Sequence, residues 1–296
     1  MAVVGAVLVH GGAGRIEPGE RAERVRGVAR ARDAAWAVLE AGGSALEAAV
    51  RAVELLEDDP LFNAGTGSAL NRDGFVEMDA AVMDGEGRAF GAVAAVRDVK
   101  NPVRLALEVM RSEHVLLAGE GASRFARERG IPSHDPRALV TPRQLERWSR
   151  ARREAAGEQS GTVGAVVYDG RGVAAATSTG GILDQRVGRV GDTPLPGAGT
   201  YAEAGLGAAS VTGHGEYFAR ALAAYRAVAA LRHMDPDAAL REVLDDVERL
   251  GGRGGIILVD ARGRLACHHT SPDMLVAWQG PGGRHEAADC SERETV

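Results

Sequence analysis

Short apolar runs that return on themselves across tight turns constrain this chain more than its composition does. Val76–Met83 and Ala89–Val96 flank Asp-Gly-Glu-Gly, and Thr162–Asp169 and Gly172–Thr179 meet at Gly-Arg-Gly. Runs this short, rich in Val and Ala and bounded by glycine, read as hairpin strands. Further strands are expected at Val3–Val9, ending in the glycine turn of residues 10–14 (HGGAG), and at His114–Leu117, Ala198–Ala202 and Gly207–Val211. Three more are expected near Gly255–Asp260, Arg264–His268 and Met274–Gln279.

Helical patterns come in pairs between these runs. Ala22–Ala41 places Val25, Val28, Ala35, Trp36 and Leu39 at helical spacing, with Gly42-Gly43 to stop it. Ser44 and Glu47 have capping-box spacing and open a second helix that buries Leu46, Ala49, Val50, Val53 and Leu56. Asn101-Pro102, Thr141-Pro142 and Asp235-Pro236 each start a helix, and two more are expected near Ala122–Arg129 and over Gly215–Arg232. The arginine-rich helix that ends near Ala156 is expected to show a solvated face. Hairpins and paired helices, without βαβα alternation, predict an α+β fold of mostly antiparallel sheets under helix layers. At 296 residues the chain can bury one large core, read here as a single domain over 1–296.

Several function classes are disfavoured. A net charge of −6 argues against a nucleic-acid surface. The opening run MAVVGAVLVHGGAG has no Lys/Arg start and is too short to cross a bilayer, so a first strand and a cytoplasmic protein are expected. Cys267 and Cys290 form no ligand pattern and read as free thiols. HGGAG lacks the spacing of a phosphate loop and reads as a site of close packing. Glu77, Asp79 and Asp84 read as surface residues of a hairpin, not as a metal cluster. His268 and His269 point to opposite faces of a strand.

Gly161-Thr162 stands apart. It joins a polar linker to the valine-rich run that follows. A threonine hydroxyl is a poor nucleophile without an adjacent base. Breaking the Gly161–Thr162 bond would create that base as the α-amine, with a reference pKa of about 7.7–8.0. Three later stretches add to this: Thr177–Gly181 brings hydroxyls and glycines to a strand end, and Gly188–Asp192 offers a cation and an anion. Thr212–Gly215 presents a hydroxyl and open backbone N–H groups suited to an oxyanion.

With HGGAG, PLFNAGTGSALN, EMDAAVMDG, GTVGAVVYD, AAATSTGG, GRVGDTPLPGAG and TGHGE in order from residue 10 to 216, the chain resembles the plant-type L-asparaginase/isoaspartyl aminopeptidase family of N-terminal-nucleophile hydrolases. The resemblance implies a four-layer αββα sandwich made as a precursor that cuts itself into subunits 1–161 and 162–296. It implies hydrolysis of L-asparagine and β-aspartyl dipeptides, with glycosylasparaginase as the alternative within the same chemistry. A non-catalytic binding module on this fold is the reading from another class, and it should have lost Thr162. On matching positions Thr162 is the nucleophile, Thr179 assists it, and Thr212 with Gly213 forms the oxyanion hole. Arg189 and Asp192 hold the substrate's α-carboxylate and α-ammonium, with Gly215 and Asn63 also facing the substrate. No cofactor serves catalysis. A structural sodium ion is implied on backbone carbonyls of Leu56, Glu57, Asp59, Phe62, Ala64 and Thr66. The family suggests a homodimer of cleaved protomers. Two departures stand out: Gly157–Gly161 reads GEQSG, where many members carry a histidine before the cleavage pair, and Asp58-Asp59 sits in the ion loop.

Overall fold

Both expected hairpins form. A computed structural model describes residues 5–154, 161–280 and 283–292. Its first half contains β1 (Ala6–Gly14), α1 (Pro18–Glu40), α2 (Ala45–Asp58), β2 (Met78–Asp84), β3 (Ala89–Val96), α3 (Pro102–Met110), β4 (Leu116–Ala118), α4 (Gly119–Glu128) and α5 (Pro142–Glu154). The second half contains β5 (Val163–Tyr168), β6 (Val173–Thr179), β7 (Thr200–Glu203), β8 (Gly207–Gly213), α6 (Gly215–Ala221), α7 (Ala223–Ala230), α8 (Pro236–Arg249), β9 (Gly254–Asp260), β10 (Leu265–His269), β11 (Asp273–Gly280) and β12 (Gly283–Asp289).

The strands make two sheets, ordered β12-β11-β1-β5-β6-β2-β3-β4 and β10-β9-β8-β7. Every described pairing is antiparallel except β3 with β4. Helices α1, α2 and α3 cover one face of the larger sheet, and the smaller sheet packs on its other face. Helices α7 and α8 lie on the far side of the smaller sheet. Side-chain alternation explains this order. Val7, Val9, Ala165 and Val167 enter the core under α1–α3, while Ala6, Leu8 and Val166 enter the core between the sheets. A strand with apolar residues on both faces must be covered on both.

Local sequence sets the helix ends. Glu47 N–H donates to Ser44 Oγ at 3.2 Å and Ser44 N–H to Glu47 Oε2 at 2.8 Å, closing the capping box of α2. Asp235 accepts from the N–H groups of Asp237 and Ala238 at the start of α8. Gly42, at φ +84°, ends α1 as expected. Among the described residues, no helix is long and apolar enough to cross a membrane.

Five expectations need correction. β1 does not stop at Val9 but runs to Gly14, because a register shift between His10 and Ala13 absorbs the glycines. The helix expected over 215–232 breaks at Leu222, which adopts φ 49° and ψ 49° and separates α6 from α7. β12 was not foreseen; it adds an edge strand on β11. Cys267 and Cys290 are bonded to each other, with Cα atoms 6.0 Å apart, so they are not free thiols. Glu77 and Asp79 are buried, not surface residues. The last residues expected of the arginine-rich helix, Ala155 and Ala156, lie outside the described residues.

The close fit of α3 on β3 gives a stability test. A Cβ at Gly91 would overlap the Ala106 carbonyl oxygen and the Met110 nitrogen. Gly91→Ala should destabilise the fold by about 1–3 kcal/mol, as overpacking does. Gly172→Ala, where a Cβ meets nothing within 4 Å, should cost about 0.5 kcal/mol or less. Urea unfolding of the two variants measures the difference.

Candidate active site

β5 starts directly after Thr162, so the strand fixes that residue's backbone where the two sheets approach. Thr162 is buried, and its N–H donates to Thr212 Oγ1 at 3.1 Å. Its hydroxyl donates to Thr179 Oγ1, also at 3.1 Å. Thr179 ends β6, and its oxygen accepts a second bond, from Gly181 N–H at 3.0 Å. Thr212, on β8 of the other sheet, accepts from Ala13 N–H as well, at 3.1 Å. Three hydroxyls from three strands therefore meet at one point.

Glycines allow this approach. Gly12, at φ +101°, lies so close to Gly161 that a Cβ would sit 2.9 Å from the Gly161 Cα. The expectation that HGGAG serves close packing holds. Beneath Thr162, His10 Nε2 lies 3.0 Å from Ser210 Oγ, Ser210 lies 2.7 Å from Thr177 Oγ1, and Thr200 donates to Thr177 at 2.7 Å. Burial pushes the His10 imidazole down to about 3, so it stays neutral and serves as a hydrogen-bonding strut.

Beside the threonines, Gly188–Asp192 forms a loop held from below by two buried carboxylates. Glu77 accepts from Gly188 N–H at 3.0 Å, Asn71 at 2.9 Å and Arg97 at 2.6 Å. Burial raises its pKa, but those hydrogen bonds outweigh it and hold the carboxyl below the usual range. Asp79 accepts from Ala95 N–H at 2.9 Å and Gly191 N–H at 3.5 Å, and burial pushes it up to about 6. These two residues were missed as supports of the site. A charge inside the otherwise apolar run Val76–Met83 was the available signal.

On that loop, Arg189 donates through Nε to Glu216 Oε1 at 2.9 Å. Asp192 is buried, and among the described residues its Oδ2 has no hydrogen-bond partner. Burial pushes its carboxyl up to about 7, against the lowering effects of its own backbone N–H and the Arg189 guanidinium; Glu216 and Asp79 add to the rise. Arg189 and Asp192 are thus not consumed by a salt bridge to each other. Gly215 lets α6 close on them: a Cβ there would lie 2.6 Å from Asp192 Oδ1 and 2.9 Å from Arg189 Nη2. Gly213, at φ +140°, abuts the Arg253 carbonyl and Gly254.

Asn63 lines the cavity beside Gly161 and is anchored there by its own amide. Its Nδ2 donates to the Gly181 carbonyl at 2.8 Å and its Oδ1 accepts from Ala69 N–H at 2.7 Å, so the side chain braces the turn after Thr179. At the end of α2, Asp58 and the capping Asp59 turn their carboxylates to Lys100 and Arg30. The Glu57 and Asp59 carbonyls accept from the N–H groups of Thr66 and Phe62, at 2.7 and 3.1 Å. Among the described residues, no loop or turn backbone N–H reaches the carbonyls of Phe62, Ala64 or Thr66, which leaves neutral oxygen donors of the kind hard cations take. The Glu57 side chain accepts from Ser178 at 2.6 Å and Val103 N–H at 3.0 Å, tying this end of α2 to the strand of Thr179. No group of three or more His, Cys, Asp or Glu able to hold a metal occurs among the described residues.

Sequence comparison agrees with this arrangement. The family model described as asparaginase matches residues 3–288. The chain belongs to this family. The isoaspartyl peptidase/L-asparaginase of Rattus norvegicus is 43% identical, over 98% of this chain and 90% of its own length. That of Danio rerio is 44% identical, over 94% and 93% of the two chains. The isoaspartyl peptidase of Salmonella typhimurium is 43% identical, over 92% and 94%.

The buried Asp192 gives a direct measurement. Its carboxyl carbon, followed by NMR, should titrate with a midpoint near pH 7. Arg189→Gln should move that midpoint upward, because the guanidinium favours the anion. An Asp192 midpoint in the ordinary range near 3.9 would overturn the assignment of a desolvated carboxyl.

Proposed function

We propose that this chain is an isoaspartyl peptidase/L-asparaginase, releasing L-aspartate from L-asparagine and β-aspartyl dipeptides. One observation carries the reading. In a chain 43% identical to an isoaspartyl peptidase, the hydroxyls of Thr162, Thr179 and Thr212 converge beside a loop holding Arg189 and an Asp192 carboxylate whose Oδ2 has no partner among the described residues.

The chemistry follows from what each group can do. Cleavage before Thr162 frees its α-amine, which takes the hydroxyl proton as Oγ1 attacks the β-carbonyl of the substrate. Thr179 orients that oxygen. The Thr212 hydroxyl and Gly213 N–H take the negative charge of the tetrahedral intermediate. The C–N bond breaks, the amine leaves with the proton, and water hydrolyses the aspartyl ester on Thr162. Arg189 pairs with the substrate's α-carboxylate as a fork, and Asp192 receives the α-ammonium. No cofactor enters these steps.

The two sheets between helix layers fit the αββα sandwich of N-terminal-nucleophile hydrolases, with 1–161 and 162–296 as the subunits of one cleaved domain. A structural sodium ion is proposed at the end of α2 and in the loop that follows, on the carbonyls of Leu56, Glu57, Asp59, Phe62, Ala64 and Thr66, of which those of Phe62, Ala64 and Thr66 take no loop or turn N–H among the described residues. A homodimer in the cytoplasm is the proposed working form.

Intact-mass analysis should show the purified protein as two associated pieces meeting at Gly161–Thr162, and Thr162→Ala as one uncut chain. A single uncut chain with full activity would sink the mechanism. Activity on asparagine, a β-aspartyl dipeptide and glycosylasparagine, measured side by side, should favour the first two. Thr212→Val should lower kcat by about 10²–10³-fold with little change in KM, as loss of an oxyanion donor does. Arg189→Lys should reduce kcat/KM although it keeps the charge, because the fork is lost. Parental rates in both variants would remove these roles.

A further inference from the structure

A cavity of about 570 Å³ opens at the scissile residue. Its walls include Gly12, Gly161, Arg15 and Arg253, but neither Arg189 nor Asp192. The positions holding the substrate's head and the space beside Gly161 are therefore separate. The turn 212–215 connects them. Gly215 lies against Asp192 and Arg189, whereas Gly213 lies against the Arg253 carbonyl, and His214 N–H donates to that carbonyl at 2.9 Å.

The cavity is positive. Six arginines line it against three glutamates. Arg24 and Arg143 are taken up by Glu20, which accepts from Arg24 at 3.2 Å and from Arg143 at 2.5 and 2.6 Å. Arg15 and Arg253 differ: among the described residues, neither guanidinium has an ion-pair or hydrogen-bond partner. Arg15 follows the end of β1 and Arg253 precedes β9, so both stand on strand ends next to the Ala13–Thr212–Thr162 junction.

We propose that this cavity is the leaving-group subsite, and that Arg15 and Arg253 bind the α-carboxylate of the amino acid released from a β-aspartyl dipeptide. The proposal rests on the function given above. With the aspartyl head on Arg189 and Asp192 and its β-carbonyl at Thr162, the amine that departs lies on the acyl side of the nucleophile, where Gly161 sits in the uncut chain. A dipeptide's leaving amino acid carries one carboxylate there; the ammonia released from asparagine carries none. A carboxylate entering a cavity where two guanidiniums have no partner among the described residues gains charge-assisted hydrogen bonds at small desolvation cost.

Three substrates test this in the cleaved enzyme: L-asparagine, β-aspartyl-leucine, and β-aspartyl-leucine amide, in which the terminal carboxylate is neutralised. The Arg15→Gln/Arg253→Gln double variant should lose about 10–100-fold in kcat/KM on the free-acid dipeptide, mainly through KM, which is the scale of a lost hydrogen bond to a charged group. Asparagine and the amidated dipeptide should change less than about threefold, and the parent should prefer the free acid to the amide. Equal treatment of acid and amide by the parent, or a variant that loses all three substrates together, overturns the subsite. A parent inactive on all three removes the function proposed above, and the subsite with it.

Discussion

One hydroxyl joins the two sheets at the place where chemistry is proposed. Thr212 belongs to the smaller sheet, yet its oxygen accepts from Ala13 and Thr162, which belong to the larger one. A buried N–H without an acceptor is costly, so these two bonds fix the separation of the sheets as well as the position of Thr162. The glycines at 12 and 161 follow from that separation, because no Cβ fits between the chains there. Below it, the chain of hydroxyls from Ser210 through Thr177 to Thr200 links β8, β6 and β7. Alanine fills much of the remaining space between the sheets, at Ala6, Ala81, Ala175 and Ala209. Small side chains let the polar joint close.

The loop Gly188–Asp192 rests on the opposite principle. Glu77 and Asp79 are buried so that backbone N–H groups of Gly188 and Gly191 have acceptors. Asp192 is buried with one oxygen unanswered among the described residues, and burial pushes its carboxyl up to about 7. Raising an acid's pKa on folding means that the ionised form is disfavoured in the folded chain. The penalty is absent below the unfolded value near 3.9 and grows as pH rises, until it is complete above about 7. A bound ammonium would offset it. A site that spends stability in this way is better suited to ligand recognition than to holding the fold together.

Much of this was legible in the sequence because it is written locally. The capping box at Ser44 and Glu47, the cap at Asp235, and the hairpins around 84–87 and 170–172 each occupy a few neighbouring residues. The three threonines were legible for a related reason: each stands at a strand end beside glycines. What stayed hidden depends on distant partners. β1 continues through its glycines because β11 accepts the bulge, and the glycines alone suggested a turn. Leu222 breaks an otherwise regular helical pattern through its backbone, with no Gly or Pro to announce it. Cys267 and Cys290 meet only because β10 and the turn after β12 come together, and β12 itself was not foreseen. The bracing of the site by Asn63 was hidden for the same reason, since its amide partners, Gly181 and Ala69, do not adjoin it in sequence.

The same contacts suit both stages of the proposed mechanism. In the intact chain the Thr162 nitrogen is an amide: it donates to Thr212 and has no basic lone pair. Its hydroxyl is already aligned on Thr179, and Gly161, held by its packing on Gly12, presents the carbonyl next to it. The proposed cleavage would change the nitrogen, while Thr179 and Gly12 supply the same anchors. The new amine can keep one N–H on Thr212, which accepts it now, and turn its lone pair toward Oγ1 on the same residue. The base would then appear on the residue that carries the nucleophile, between the strands β5, β6 and β8 that already hold it. A single set of hydroxyl positions can serve self-cleavage first and amide hydrolysis afterwards. This explains why the threonines are buried in the joint between the sheets and not carried on a surface loop.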